Sequence, residues 1–206
     1  GTMGLFGMYQ NNSLQGRPFI PNFVMMSGEA FIIERYQRDN WSLELGGRYD
    51  YRYLHSAREV VGRNVYTEQY FQNVSGTVGA NYQFTRNLNL SANLGTAWRP
   101  PHVNELFSDG LHHGSAAVEI GDSTLNAERA IKGIITLEGQ LPIGLGGQIS
   151  AYYNYFGNFI YRKPDGFDRT IRGTFPKLVY TQTEARLQGM DLQLYYQTKV
   201  GLRYET

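Results

Sequence analysis

The chain has 206 residues, with 19 Lys and Arg against 18 Asp and Glu, no cysteine, 16 tyrosines and 24 glycines. A formal net charge of +1 with both signs interspersed gives no footprint for a polyanion, so no nucleic acid partner is expected. The lack of cysteine excludes disulfide frameworks and thiolate metal sites, and the apolar runs are far shorter than the roughly 20 residues of a membrane-spanning helix.

In chain order, weak alternation of apolar and polar residues over Met3–Gln10 and Val24–Gln37 predicts the first two strands. From Trp41 to Tyr53 the pattern is clear: Trp41, Leu43, Leu45, Gly47, Tyr49, Tyr51 and Tyr53 alternate with Ser42, Glu44, Gly46, Arg48, Asp50 and Arg52. That is a strand with one apolar face. The same period recurs over Val74–Thr85 and Leu88–Arg99, and more weakly over Ala130–Leu141, Gly147–Tyr161 and Leu178–Thr198, giving about eight strands.

The connectors alternate in length. Asp39-Asn40, Arg86-Asn87, Pro142 to Gly146 and Lys199-Val200-Gly201 read as short turns, while Asn11–Asn22, His55–Gln72, Pro100–Arg129 and Lys163–Lys177 read as long polar loops. Short turns on one side and long loops on the other are the pattern of transmembrane barrels, whose long loops face outward. A 13-residue strand spans about 43 Å at roughly 3.3 Å per residue, which suits a tilted strand crossing a membrane. A soluble sandwich would also alternate, but would seldom alternate its connections so regularly in length. The fold class expected is therefore all-β, an antiparallel transmembrane β-barrel segment. Leu202 to Thr206 reads as the opening of a ninth strand, so a larger barrel is expected, since an open eight-stranded sheet would turn two unpaired edges to lipid. The first residues, Gly1 to Phe6, lack the features of a signal peptide, so either a mature chain or a piece of a longer one begins there.

From Leu94 to Glu128 the sequence reads LGTAWRPPHVNELFSDGLHHGSAAVEIGDSTLNAE. It resembles the segment of TonB-dependent outer-membrane receptors that carries a "FRAP…EL" box followed by a G-[DN]-x-x-L-x-x-E box, matched at Trp98, Arg99, Pro100, Glu105, Leu106, Gly121, Leu125 and Glu128. Tyr180 to Asp191 is similar to the family strand N-x-x-x-A-x-[FLI]-x-G-x-E, and Asn11-Asn12 with Phe19 to Asn22 to a loop and strand entry of the same barrels. Trp98 stands where Phe is usual, Pro101 where other residues are common, and Asp191 where Glu is frequent. The resemblance implies a bacterial outer-membrane receptor that imports a metal complex, ferric siderophore or haem, by TonB-driven transport through a barrel of about 22 strands. Residues 1–206 would be one piece of that barrel, with the partners being TonB, a plug domain absent from this sequence, membrane lipid and the metal complex. A passive porin or structural barrel is the alternative.

The candidate ligand-binding residues are His112, His113, Glu105 and Asp109 in the Pro100–Arg129 segment, with His112 and His113 as metal ligands, because imidazole suits zinc, copper and iron. The competing reading makes Arg99, Glu105, Asp109 and Glu128 loop anchors through ion pairs, with both histidines in a polar turn. Arg48, Asp50 and Arg52, with Glu44, would line the lumen and pair there, because Arg toward lipid near the midplane costs about 2–4 kcal/mol. Tyr49, Tyr51 and Tyr53 suit an interfacial girdle. No nucleophile elbow, H-E-x-x-H or phosphate-cradling loop occurs, so neither an enzyme nor a resident cofactor is expected; Ser108 and His112 are close in sequence, but proximity alone makes no catalytic pair.

Overall fold

A computed structural model describes residues 1–13, 19–60, 63–198 and 203–205. Five strands come first: β1 (Thr2–Asn12), β2 (Asn22–Arg38), β3 (Trp41–Val60), β4 (Arg63–Thr85) and β5 (Leu88–Arg99). A one-turn helix, α1 (Val103–Phe107), and a short hairpin, β6 (Asp109–His112) and β7 (Ala117–Ile120), follow, and the wall then resumes with β8 (Glu128–Gln140), β9 (Leu145–Thr170), β10 (Gly173–Gln197) and β11 (Arg203–Glu205). The sheet runs β1-β2-β3-β4-β5-β8-β9-β10, with β7, β6 and β11 all beyond β10. Each long strand is antiparallel to its neighbour, so all eight expected strands are present and the ninth begins at β11. No helix among the described residues is long and apolar enough to cross a membrane.

The expected turns at Asp39-Asn40 and Arg86-Asn87 are observed, and the one after β8 closes at Gly144, whose φ of +88° only glycine adopts without strain. The expected turn at residues 199–201 and part of the 11–22 loop lie outside the described residues. Two expected long loops need correction. Residues 55–72 are almost entirely strand, because β3 and β4 stay in register from Trp41 opposite Tyr82 to Val60 opposite Arg63. Residues 163–177 likewise continue β9 and β10 to Thr170 opposite Gly173. Alternation disappears there because it marks only the stretch where one face meets hydrocarbon and the other does not.

These two hairpins rise above the rest of the wall and part from it. β5 leaves β4 after Gly95 opposite Thr77, and β8 leaves β9 after Arg129 opposite Gly157. Just past that point β9 and β10 are bulged between Thr183 and Ala185, with Asn158 at a φ of +56°, and a bulge bends the ribbon beyond it. The segment from Pro100 to Ala127 fills the space between the two hairpins. Its Val103, Leu106, Phe107 and Leu125 form one buried cluster with Phe23 and Leu54 of β2 and β3 and with Ile160 and Tyr180 of β9 and β10. A single loop can touch strands that far apart in the sheet only from its concave side, so the face bearing Leu54 looks inward.

The opposite face of β3 and β4 is exposed and apolar, including Leu45, Tyr49 and Val74, and Trp41 lies against Tyr82 at its lower end with ring centroids 4.4 Å apart. From Trp41 to Tyr51 is about 33 Å along the strand at roughly 3.3 Å per residue, and a tilt near 40° reduces that to about 25 Å, the height of a lipid-facing band. The inward face carries the charges, and they pair with one another: Arg48 donates to Asp50 (Nε to Oδ1, 2.6 Å) and bridges to Glu29 (3.2 Å), Arg52 donates to Ser27 (3.1 Å), and Arg35 donates to Glu44 (3.1 Å). Leu45→Arg in the complete receptor should lower stability by about 2–4 kcal/mol in urea titrations in lipid vesicles, and Asn81→Arg, on the inward face, by far less. Equal losses at both positions would reverse the assignment of the two faces.

Candidate functional site: the loop folded into the concave face

Two carboxylate centres hold this loop. Arg99, at the end of β5, donates to Glu105 Oε2 from Nη1 and to Glu128 Oε2 from Nε, each at 2.7 Å. Glu105 Oε2 also accepts the His102 amide at 2.7 Å, and Glu128 Oε1 accepts the amide of Ile160. One guanidinium thus ties both ends of the loop to each other and to β9, in the planar two-carboxylate geometry that lysine could not reproduce. The spacing of the two boxes serves this purpose: it delivers Arg99, Glu105 and Glu128 to one point.

Gly121 has a steric reason. Its amide donates to Ser108 O at 2.8 Å, and a Cβ at this position would lie 2.6 Å from the Leu106 carbonyl carbon and the Phe107 nitrogen. Only glycine allows β7 to leave along the backbone of α1. Leu125 belongs to the buried cluster, and Asp122 caps the next turn through Thr124 (N to Oδ1 2.8 Å, Oγ1 to Oδ1 2.6 Å).

The second centre is Glu119 on β7, 1 % exposed. Its Oε1 accepts from Ser115 Oγ (2.8 Å) and Arg162 Nη1 (2.9 Å) and lies 2.9 Å from His112 Nδ1, while Oε2 accepts from the Tyr180 hydroxyl (3.1 Å). Asn104 of α1 donates to the same hydroxyl at 3.2 Å. Burial pushes the Glu119 carboxyl up, but the hydrogen bonds from His112, Ser115, Tyr180 and Arg162 outweigh it and hold the group below the usual carboxylate range. Burial, followed by the adjacent Glu119 charge, pushes the Tyr180 phenol up to about 12. Beside this centre β7 pairs in parallel with β10, Val118–Ile120 against Lys177–Val179.

The four candidate ligand residues are not brought together. Glu105 is held by Arg99, Asp109 by Arg58 at 2.6 Å, His112 by Glu119 with Phe19 stacked on its ring at 4.8 Å, and His113 accepts from Arg172 Nη1 at 2.9 Å. Among the described residues no group of three or more His, Cys, Asp or Glu is placed to hold a metal ion. Ser108 is buried and its hydroxyl has no hydrogen-bond partner, so it forms no pair with His112. Of the matched box residues, Leu106 and Leu125 are in the core and Pro100 is buried, while Trp98 on β5 pairs with Arg129. Sequence reasoning missed the partners supplied from outside the loop, Arg58, Arg162 and Tyr180. Tyr180 does open the second matched motif, which was the available signal.

An antiparallel wall with a lipid band on one face, paired charges on the other and a loop folded into its concavity defines an outer-membrane β-barrel. The family model described as "TonB dependent receptor-like, beta-barrel" matches residues 6–205, and the chain belongs to that family. It is therefore a protein of the bacterial outer membrane, in a family of receptors and transporters rather than enzymes. Similar solved structures include the copper transporter OprC (TM-score 0.74, 18 % identity, 98 % of this chain and 33 % of that one). They also include the Serratia marcescens hemophore receptor HasR in complex with its hemophore HasA and heme (0.68, 17 %, 95 % and 37 %) and the siderophore receptor PirA from Pseudomonas aeruginosa (0.56, 12 %, 98 % and 48 %). The chain thus spans between a third and a half of the length of these three structures. No curated relative matches it.

Gly121→Ala should displace α1 and expose the 103–125 segment to protease in the complete receptor while the wall stays folded; protection equal to wild type would mean that the backbone yields. The pH dependence follows from the two shifted groups. Glu119, shifted down, stabilises the loop above the ordinary carboxylate range, and that contribution is lost as pH falls through its lowered value. Tyr180, shifted up, contributes below about 10, and its contribution is lost as pH rises toward about 12. The protection factor of residues 103–125, the intrinsic exchange rate divided by the observed rate at the same pH, should fall at both extremes, and Tyr180→Phe should flatten the alkaline arm; an unchanged alkaline arm would remove Tyr180 from the account.

Proposed function

We propose that this chain forms part of the barrel of an importer that takes up a metal complex, a ferric siderophore or haem, driven from the inner membrane by TonB and gated by a plug domain inside a barrel of about 22 strands. The observation that carries this reading is the loop itself. It is folded into the concave face and fixed there by Arg99 and Glu119, and the residues that fix its two ends are those of the two boxes that resemble the receptor family's. The family match, and the heme, copper and siderophore named with the three solved structures above, favour a metal complex as the transported species.

His112 and His113 are proposed as the metal-complex contacts of this loop, because His112 ends β6, His113 opens the turn that follows it, and the His112 side chain is 45 % exposed. Glu105 and Asp109, tied to Arg99 and Arg58, are proposed as further contacts at the base of the same loop.

Isothermal titration of the refolded complete receptor with haem, zinc and a panel of ferric siderophores, comparing wild type with His112→Ala/His113→Ala, tests the ligand assignment. A loss of haem or zinc binding of tenfold or more, equivalent to about 1.4 kcal/mol, would make the turn the contact. Binding equal to wild type for every ligand would return both histidines to loop structure. Uptake of the bound complex should stop in cells lacking TonB; uptake at an unchanged rate would identify a passive barrel instead.

A further inference from the structure

The outward face of β3 and β4 does not end where the lipid band ends. Above Tyr51 the same face continues with Tyr53 opposite Tyr70, His55 opposite Glu68 and Ala57 opposite Tyr66. Two to six residues at roughly 3.3 Å each, tilted near 40°, place this row about 5–15 Å above the hydrocarbon. The rings are held in place. Tyr53 and Tyr70 lie 5.1 Å apart between centroids, and both hydroxyls donate to Glu68 at 3.0 Å, while the His55 ring stacks on Tyr66 at 5.8 Å and 17°. Their faces are open nonetheless, Tyr66 being 62 % and Tyr70 61 % exposed. At the height of Tyr53 the row extends sideways across the register through Met26 to Tyr9, so that it crosses four strands.

We propose that this row is a docking surface for the sugar rings of outer-leaflet glycolipid. It is continuous with the lipid-facing band, so the first thing it meets is the headgroup layer of the same leaflet. Between Tyr49 and Ala57, and between their partners Tyr66 and Val74, no Lys or Arg falls on this face, and a phosphate surface would call for one. Ordered aromatic faces beside a carboxylate suit a saccharide instead: the apolar face of a pyranose stacks on the ring, and its hydroxyls donate to Glu68. Tyr53 and Tyr70 are already fixed by their hydrogen bonds to Glu68 and Tyr66 by its stack on His55, so docking costs little side-chain entropy. Because the surface lies outside the barrel, it is independent of what the lumen carries.

The test uses the complete receptor in detergent, incubated with lipopolysaccharide bearing its core saccharide or with lipid A stripped of the core, and the retained glycolipid is quantified after gel filtration. Tyr66→Ala/Tyr70→Ala should retain several-fold less of the core-bearing glycolipid and an unchanged amount of lipid A, and Tyr66→Phe, which keeps the stacked ring and the Tyr70–Glu68 hydrogen bond, should behave as wild type toward both. Heat-dependent gel mobility confirms that the barrel is folded in each variant. Equal retention of the core-bearing form by the alanine variant would overturn the proposal and leave the row to a protein partner. Parallel loss of both glycolipids would overturn it as well, by placing the contact below the sugars.

Discussion

A strand inside hydrocarbon has nowhere to send its N–H and C=O groups except to the next strand, and this requirement shapes the lower half of the molecule. From Trp41 to Gly46 β3 and β4 keep uninterrupted antiparallel ladders with their neighbours, where β5 parts from β4 the Thr96 hydroxyl accepts the Gly76 N–H, and the charged side chains turn inward to pair as Arg48 does with Asp50 and Glu29. The lipid band therefore has an inner face that is polar but already neutralised by its own charges.

Toward the outer end the requirement relaxes, because side chains and then water can satisfy backbone groups, and the strands separate. β4 no longer needs β5 beyond Thr77, nor β9 its partner β8 beyond Gly157. That freedom creates a gap between two tall hairpins, and the loop from Pro100 to Ala127 occupies it. Inside the gap the burial rules of a soluble core return: an apolar cluster around Leu106 and Leu54, and two carboxylates satisfied by several donors each. One short chain thus folds by membrane rules at one end and by aqueous rules at the other.

What could be read in the sequence follows the same division. The period of two named every strand that touches lipid, and the short turns at Asp39 and Asn87 gave the connectivity. The tall extensions look like loops in the sequence because Leu54, Ser56 and Arg58 face the folded loop, while His55 and Ala57 meet neither hydrocarbon nor core, so no alternation survives. The anchoring role of Arg99, Glu105 and Glu128 was legible from their spacing within one segment. Glu119 was not, since its donors Arg162 and Tyr180 lie 43 and 61 residues further on and no local pattern connects them.

That separation bears on how the protein is assembled. A buried carboxylate is tolerated only with its donors in place, and two of the four on Glu119 belong to β9 and β10 rather than to the loop. Until β9 and β10 have joined the wall, Glu119 has to stay hydrated, which keeps the β6–β7 hairpin out of the concavity. The loop therefore closes into the concavity only once β9 and β10 stand beside it, so the order of these two steps is set by one buried carboxylate.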